Sequence, residues 1–185
     1  MKILIENESF ECASGATVYD ALKEAGKISK EVLAATVRQK TVALSTVLKE
    51  GDAVSPLTFA DEEGRKVYRH TAAHILAQAV KRLYPQAKLT IGPAIENGFY
   101  YDFDSEVTFG PEQLRALEKE MKKIVSENLR IERFTLPKDE ALELVRKMEE
   151  PYKELLIERI PEGEEISFYR QGEFTDLCAG PHLFS

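Results

Sequence analysis

The segment Val67-Tyr68-Arg69-His70-Thr71-Ala72-Ala73-His74-Ile75-Leu76-Ala77-Gln78-Ala79-Val80-Lys81-Arg82-Leu83 carries the clearest helical pattern in this sequence. Ile75, Leu76, Ala79, Val80 and Leu83 recur at the spacing of one apolar helix face, and Pro85 ends the run. Just before it, Asp61-Glu62-Glu63-Gly64-Arg65 is charged, contains a glycine and has no period, which marks a boundary between a domain over 1–60 and another over 65–185. The front part is short-stranded. Lys2 to Ile5 and Phe10 to Cys12 flank the turn Glu6-Asn7-Glu8, which predicts a hairpin. Thr17 is placed to cap a helix through Val18, Ala21, Leu22 and Ala25, with Gly26 ending it. Leu33–Val37 and Val42–Leu44 read as strands around Arg38-Gln39-Lys40, and Asp52–Phe59, carrying Pro56, as an edge strand.

On the other side of the long helix, Ile91-Gly92-Pro93 and Asn97-Gly98 punctuate strand-like pieces, of which Phe99–Phe103 is the most aromatic. Pro111 opens a second amphipathic helix with Leu114, Leu117, Met121, Ile124 and Val125 expected in the core. Ile131–Leu136 reads as a strand and Asp139–Met148, behind Pro137, as a third helix. Leu155–Ile160 and Ile166–Tyr169 read as two further strands, leading into the tail Asp176-Leu177-Cys178-Ala179-Gly180-Pro181-His182. The fold class is α+β, and no internal repeat or low-complexity segment is visible.

With 43% hydrophobic and 31% charged residues, the 185-residue chain has the make-up of a packed globular protein. Its 25 basic against 32 acidic residues give a net charge of −7, which argues against an extended nucleic-acid-binding coat but leaves room for a local basic patch. Lys81, Arg82 and Lys88 are the candidates for phosphate contact. The longest uncharged apolar helical stretch, Ile75–Val80, falls far short of the ~20 residues a bilayer requires. Glu6 interrupts the N-terminal apolar run too early for a secretion signal, so a cytoplasmic location is expected, with Cys12 and Cys178 as free thiols. Cys12 lies in an alternating, strand-like run and suits a small apolar role.

All three histidines stand in paired spacings. His70 and His74, at i and i+4, project from one helix face within reach of a common atom. His182 closes Cys178-Ala179-Gly180-Pro181-His182, where Gly180 and Pro181 bend the chain. Three imidazoles and one thiol match the ligand set of tetrahedral zinc. The first histidine lacks the neighbouring glutamate of zinc proteases, so peptide hydrolysis by that route is unsupported.

The motifs His70-Thr71-Ala72-Ala73-His74, Ile91-Gly92-Pro93-Ala94-Ile95-Glu96-Asn97-Gly98-Phe99-Tyr100-Tyr101-Asp102 and Asp176-Leu177-Cys178-Ala179-Gly180-Pro181-His182 together resemble the editing domain of bacterial-type threonyl-tRNA synthetases. Alanyl-tRNA editing domains share the two His/Cys motifs. The first sixty residues resemble the TGS domain, a ubiquitin-like β-grasp module, and the second part would then be a larger α+β domain with an antiparallel sheet and packed helices. The resemblance implies hydrolysis of serine wrongly esterified to threonine tRNA. Serine lacks one methyl of threonine, a difference worth only about 1 to 3 kcal/mol of discrimination, so a second pocket that admits the smaller side chain supplies the missing accuracy.

Carried over by resemblance, His70 and Lys153 position and activate water, while His74, Asp176, Cys178 and His182 hold the seryl amine, hydroxyl and ester. Tyr101 forms a pocket wall. Spacing favours zinc, as in the alanyl-type relatives, with His70, His74, Cys178 and His182 as ligands. The threonyl-type resemblance implies that no metal or other cofactor is required. Expected partners are tRNA and the remainder of a synthetase, with no membrane. The sequence stops at Leu183-Phe184-Ser185 without ATP-binding motifs, which implies an N-terminal fragment. The alternatives are a free-standing deacylase, a tRNA-binding module without catalysis, and a structural zinc domain.

Overall fold

In the computed structural model, which describes residues 1–185, β1 (Lys2–Ile5) and β2 (Glu8–Glu11) form the expected hairpin, with Ile3 opposite Phe10. Helix α1 (Val18–Glu24) starts at Thr17, whose hydroxyl accepts the Asp20 N–H while the Asp20 carboxylate accepts the Thr17 N–H, a reciprocal box that satisfies two otherwise orphaned donors. It ends at Gly26, at φ +68°, with Gly26 N–H bonded to Lys23 O and Lys27 N–H to Leu22 O, the glycine-dependent C-terminal stop. Three strands follow: β3 (Ala34–Val37), β4 (Lys40–Val42) and β5 (Ala53–Leu57). The five strands make a mixed sheet of order β2-β1-β5-β3-β4, in which only β1 and β5 run parallel. Val18, Ala21 and Leu22 of α1 pack with Ile3, Ile5, Ala35, Val37 and Val54 of the sheet, and Cys12 joins this core.

The chain divides into two compact units, one of Met1–Thr71 with Gly180–Phe184 and the other of Ala72–Ala179 with Ser185. The division falls inside the long helix α2 (Glu62–Leu83), which begins five residues earlier than the apolar pattern indicates. Asp61 accounts for the early start: its carboxylate accepts the Thr58 N–H and its carbonyl accepts the Arg65 N–H. The charged stretch expected to mark the domain boundary forms the first turn of a helix, with Glu62 and Glu63 where the helix dipole favours acids. Gly64 is required there, because a Cβ would lie 1.9 Å from the Thr58 carbonyl oxygen.

In the second unit, β6 (Lys88–Leu89), β7 (Ala94–Ile95), β8 (Gly98–Phe99) and β9 (Phe103–Asp104) form one interrupted hairpin, β6 pairing with β9 and β7 with β8. The continuous Phe99–Phe103 strand expected from sequence is thus broken at Tyr100-Tyr101-Asp102. Opposite that break stand Gly92, whose Cβ would meet the Tyr101 ring at 2.1 Å, and Pro93, which has no N–H to donate. Helix α3 (Pro111–Glu127) buries Leu117 and Ile124, whereas Leu114 and Val125 are more than half exposed. At ~100° per residue these two lie about 60 to 80° round from Leu117, at the rim of the stripe rather than in it.

Strand β10 (Ile131–Leu136), helix α4 (Lys138–Lys147), helix α5 (Pro151–Glu158), strand β11 (Ile166–Gln171) and strand β12 (Phe174–Leu177) complete the unit, with an antiparallel sheet β10-β11-β12. Leu155–Ile160, expected as a strand, belongs mostly to α5. Pro151 at its first position preorganises the helix, and Lys153 and Ile157, one turn apart, are its buried residues. Ala141 and Val145 of α4, Ile157 of α5, and Ile166 and Phe168 of β11 share one core. In β12 the alternation places Phe174 and Asp176 on the buried face.

Candidate active site

Asp176 and Lys153 meet in the second unit, with Nζ 2.9 Å from Oδ1 and their side chains only 8% and 4% exposed. The pair follows from two periodicities: Asp176 is two residues from the core residue Phe174 on a strand, and Lys153 is four from Ile157 on a helix. Tyr101 completes the cluster. Its hydroxyl donates to Asp176 Oδ2 at 3.1 Å and accepts from Lys153 Nζ at 3.5 Å, and its ring stacks on Phe103 with centroids 4.6 Å apart. Burial, and secondarily the Asp176 carboxylate, holds the Tyr101 phenol well above its ordinary range, so it stays a donor. An ion pair this dry pays heavily in lost hydration and is weak evidence of a stabilising role; its chemical capacity is to present an oriented ammonium and carboxylate.

His70 and His182 belong to the first unit, their rings stacked with centroids 4.3 Å apart. His70 Nδ1 lies 3.3 Å from the Pro181 carbonyl, which only accepts, so Nδ1 is the protonated nitrogen and Nε2 the basic one. His182, 1% exposed, has its Nδ1 3.3 Å from Thr71 Oγ1. Nothing in the sequence marks Thr71 beyond its position next to His70, since it is otherwise one more hydroxyl in a helix.

The remaining expected residues lie in the second unit. His74, one helical turn after His70, is 3% exposed and stands edge-on to the Phe174 ring at 4.9 Å. Cys178 extends the β12 ladder, its N–H bonded to Ser167 O and its carbonyl accepting the Ser167 hydroxyl at 2.6 Å. Burial, followed by the effect of Cys178, pushes the Tyr169 phenol up to about 12. Of the seven expected residues, the second unit therefore gathers Lys153, Asp176 and Tyr101 into one cluster, and the first unit pairs His70 with His182. Within the first unit His70 and His182 offer two imidazole donors, of a kind that zinc accepts, and neutral histidines protonated at Nδ1 bind metals through Nε2.

The three cations proposed for phosphate contact are engaged within the second unit. Arg82 is ringed by Glu120, Glu127 and Glu173 at 3.1, 2.7 and 2.6 Å. Lys81 pairs with the buried Glu150 at 2.7 Å, and Lys88 with Glu149 at 3.5 Å. Arg82 faces more negative charge than it carries, so these residues do not form a basic patch, and that expectation is corrected. No helix is long and apolar enough to cross a membrane.

Fold and side chains together define a two-unit α+β chain with buried ionisable side chains on its helices and strands. No family model matches it. The chain is 57% identical over 181 residues to the threonine–tRNA ligase of Clostridium tetani, covering 97% of this chain and 28% of that protein. It is 55% identical over 174 residues to the threonine–tRNA ligase of Caldanaerobacter subterraneus, covering 94% and 27%, and 52% identical over 181 residues to that of Clostridium botulinum, covering 97% and 28%. The chain thus corresponds to a portion of these ligases, and spans about 28% of their length.

Proposed function

We propose that the chain is the proofreading portion of a threonine–tRNA ligase and hydrolyses serine mis-esterified to threonine tRNA. The observation that carries this reading is that similarity to threonine–tRNA ligases runs through 97% of a chain that keeps a buried Lys153–Asp176–Tyr101 cluster. The sheet order β2-β1-β5-β3-β4, with α1 packed on it, is that of a β-grasp module and supports a TGS assignment for residues 1–60.

The proposed reaction adds water to the ester carbonyl and breaks the carbonyl–oxygen bond to the terminal ribose. Free serine leaves, and the ribose hydroxyl regains a proton. His70, basic at Nε2, takes the proton from water, and the Lys153 ammonium orients that water and offsets negative charge developing on the carbonyl oxygen. Asp176 is the acceptor for the seryl amine, with His74, His182 and Cys178 around the hydroxyl and ester. Tyr101, a wall held by Phe103 and Asp176, excludes the extra methyl of threonine. No metal is assigned a step. Where zinc is bound, His70, His182 and Cys178 would hold it, and it would polarise the carbonyl or the water.

The test offers the purified chain seryl-tRNA and threonyl-tRNA for threonine, side by side. Release of serine with the threonyl ester spared is the expected result. Binding of tRNA without ester cleavage would instead favour the non-catalytic module.

A further inference from the structure

We infer that Thr71 is a positioning residue that fixes the tautomer of His182, presenting this imidazole as an acceptor through Nε2. A threonine hydroxyl has one proton and two lone pairs. Thr71 Oγ1 lies 2.9 Å from the Val67 carbonyl one turn earlier in α2, and a carbonyl only accepts, so the proton is committed there. The Leu183 N–H donates to the same oxygen at 3.0 Å. The third neighbour is His182 Nδ1 at 3.3 Å. With the hydroxyl proton engaged elsewhere, this contact is a hydrogen bond only when Nδ1 itself carries a hydrogen. Neutral His182 is therefore the Nδ1–H form, with its basic lone pair on Nε2.

Thr71 and His182 are each 1% exposed, so the hydroxyl is held by protein groups rather than by bulk water. All four residues of the network, Val67, Thr71, His182 and Leu183, belong to the first unit. The neighbouring ring is set in the same sense through His70 Nδ1 and the Pro181 backbone carbonyl. A single helix hydroxyl thus ties the tail that carries His182 to α2 and decides which of its nitrogens is basic. The catalytic consequence rests on the deacylase reading: His182 then receives a hydrogen bond from the seryl amine or hydroxyl and cannot donate one to the ester through Nε2. The tautomer itself does not depend on that reading.

The experiment uses the full chain labelled with ¹⁵N at histidine, as wild type, Thr71→Val and Thr71→Ser, with imidazole nitrogens observed by NMR at mildly alkaline pH. The expected result is a protonated Nδ1 and an unprotonated Nε2 for His182 in wild type and Thr71→Ser, shifting towards Nε2–H in Thr71→Val. Hydrolysis of seryl-tRNA should fall roughly 10- to 100-fold in Thr71→Val, the usual effect of losing a group that orients a functional histidine, and return in Thr71→Ser. An Nε2–H signal for His182 in wild type overturns the inference even should Thr71→Val fail to fold, as does an unchanged tautomer in a folded Thr71→Val. A correct tautomer in a wild-type chain that hydrolyses nothing supports the role of Thr71 and overturns the deacylase reading.

Discussion

Replacing Lys153 by Met removes one partner of the Lys153–Asp176 pair and leaves a carboxylate 6% exposed with the Tyr101 hydroxyl as its remaining donor. Breaking a buried pair in this way costs about 3 to 5 kcal/mol, because the surviving charge has lost both its counter-ion and its water. Replacing both, as Lys153→Met with Asp176→Asn, leaves no charge to strand. The Asn side chain still accepts from Tyr101, and the double variant should recover at least half of the loss, in keeping with the near break-even of buried pairs against neutral substitutes. Urea unfolding followed by a tryptophan-independent probe such as far-UV circular dichroism measures all four corners of the cycle. A Lys153→Met cost below about 1 kcal/mol would put the pair in the class of solvated surface bridges and refute its burial. The folded double variant should also have lost seryl-tRNA hydrolysis, which separates the chemical role of the pair from its effect on stability.

Several other outcomes follow from the same geometry. Gly92→Ala places a methyl where the Tyr101 ring stands, 2.1 Å from its Cδ2; it should cost roughly 1 to 3 kcal/mol and relax the exclusion of threonine, read as hydrolysis of threonyl-tRNA. Arg82 holds the Glu173 carboxyl down at about 2 from an ordinary 4.5, so the stability it contributes is present above about pH 4.5 and is lost as pH falls towards 2. Acid unfolding of Glu173→Gln should therefore be less steep over that window than that of the wild type. Chain purified without added metal should hydrolyse seryl-tRNA with well under one equivalent of zinc, whereas near-stoichiometric zinc that disappears in Cys178→Ala would reverse the metal-free mechanism.

The parts of the fold that were legible are those with short-range causes. Thr17 and Gly26 bracket α1, and Pro111 and Pro137 stand at the starts of α3 and α4, as the sequence indicates. Leu155–Ile160 is ambiguous in sequence because Leu, Leu and Ile in succession suit a buried strand as well as a helix; the decision lies with Pro151 and with Val145 and Ile166 across the core. That ambiguity matters at the site, since Lys153 is visibly inward-facing only once it is placed one turn from Ile157. From Asp176 onward the sequence reads as a tail, although the alternation of β12 is what turns Asp176 inwards. Lys153 and Asp176 are therefore reached from the sequence only through motif resemblance. The ring of carboxylates around Arg82 could not be read at all, because Glu120, Glu127 and Glu173 come from distant sequence positions.

The most direct measurement is the rate of serine release from seryl-tRNA for threonine by the wild-type chain and by His70→Ala, each compared with the spontaneous rate and with threonyl-tRNA. The account predicts rapid release by wild type, a threonyl ester left intact, and a loss of about 10²- to 10⁴-fold on removing the imidazole base. Equal rates for His70→Ala and wild type, or serine released no faster than in buffer, would contradict it.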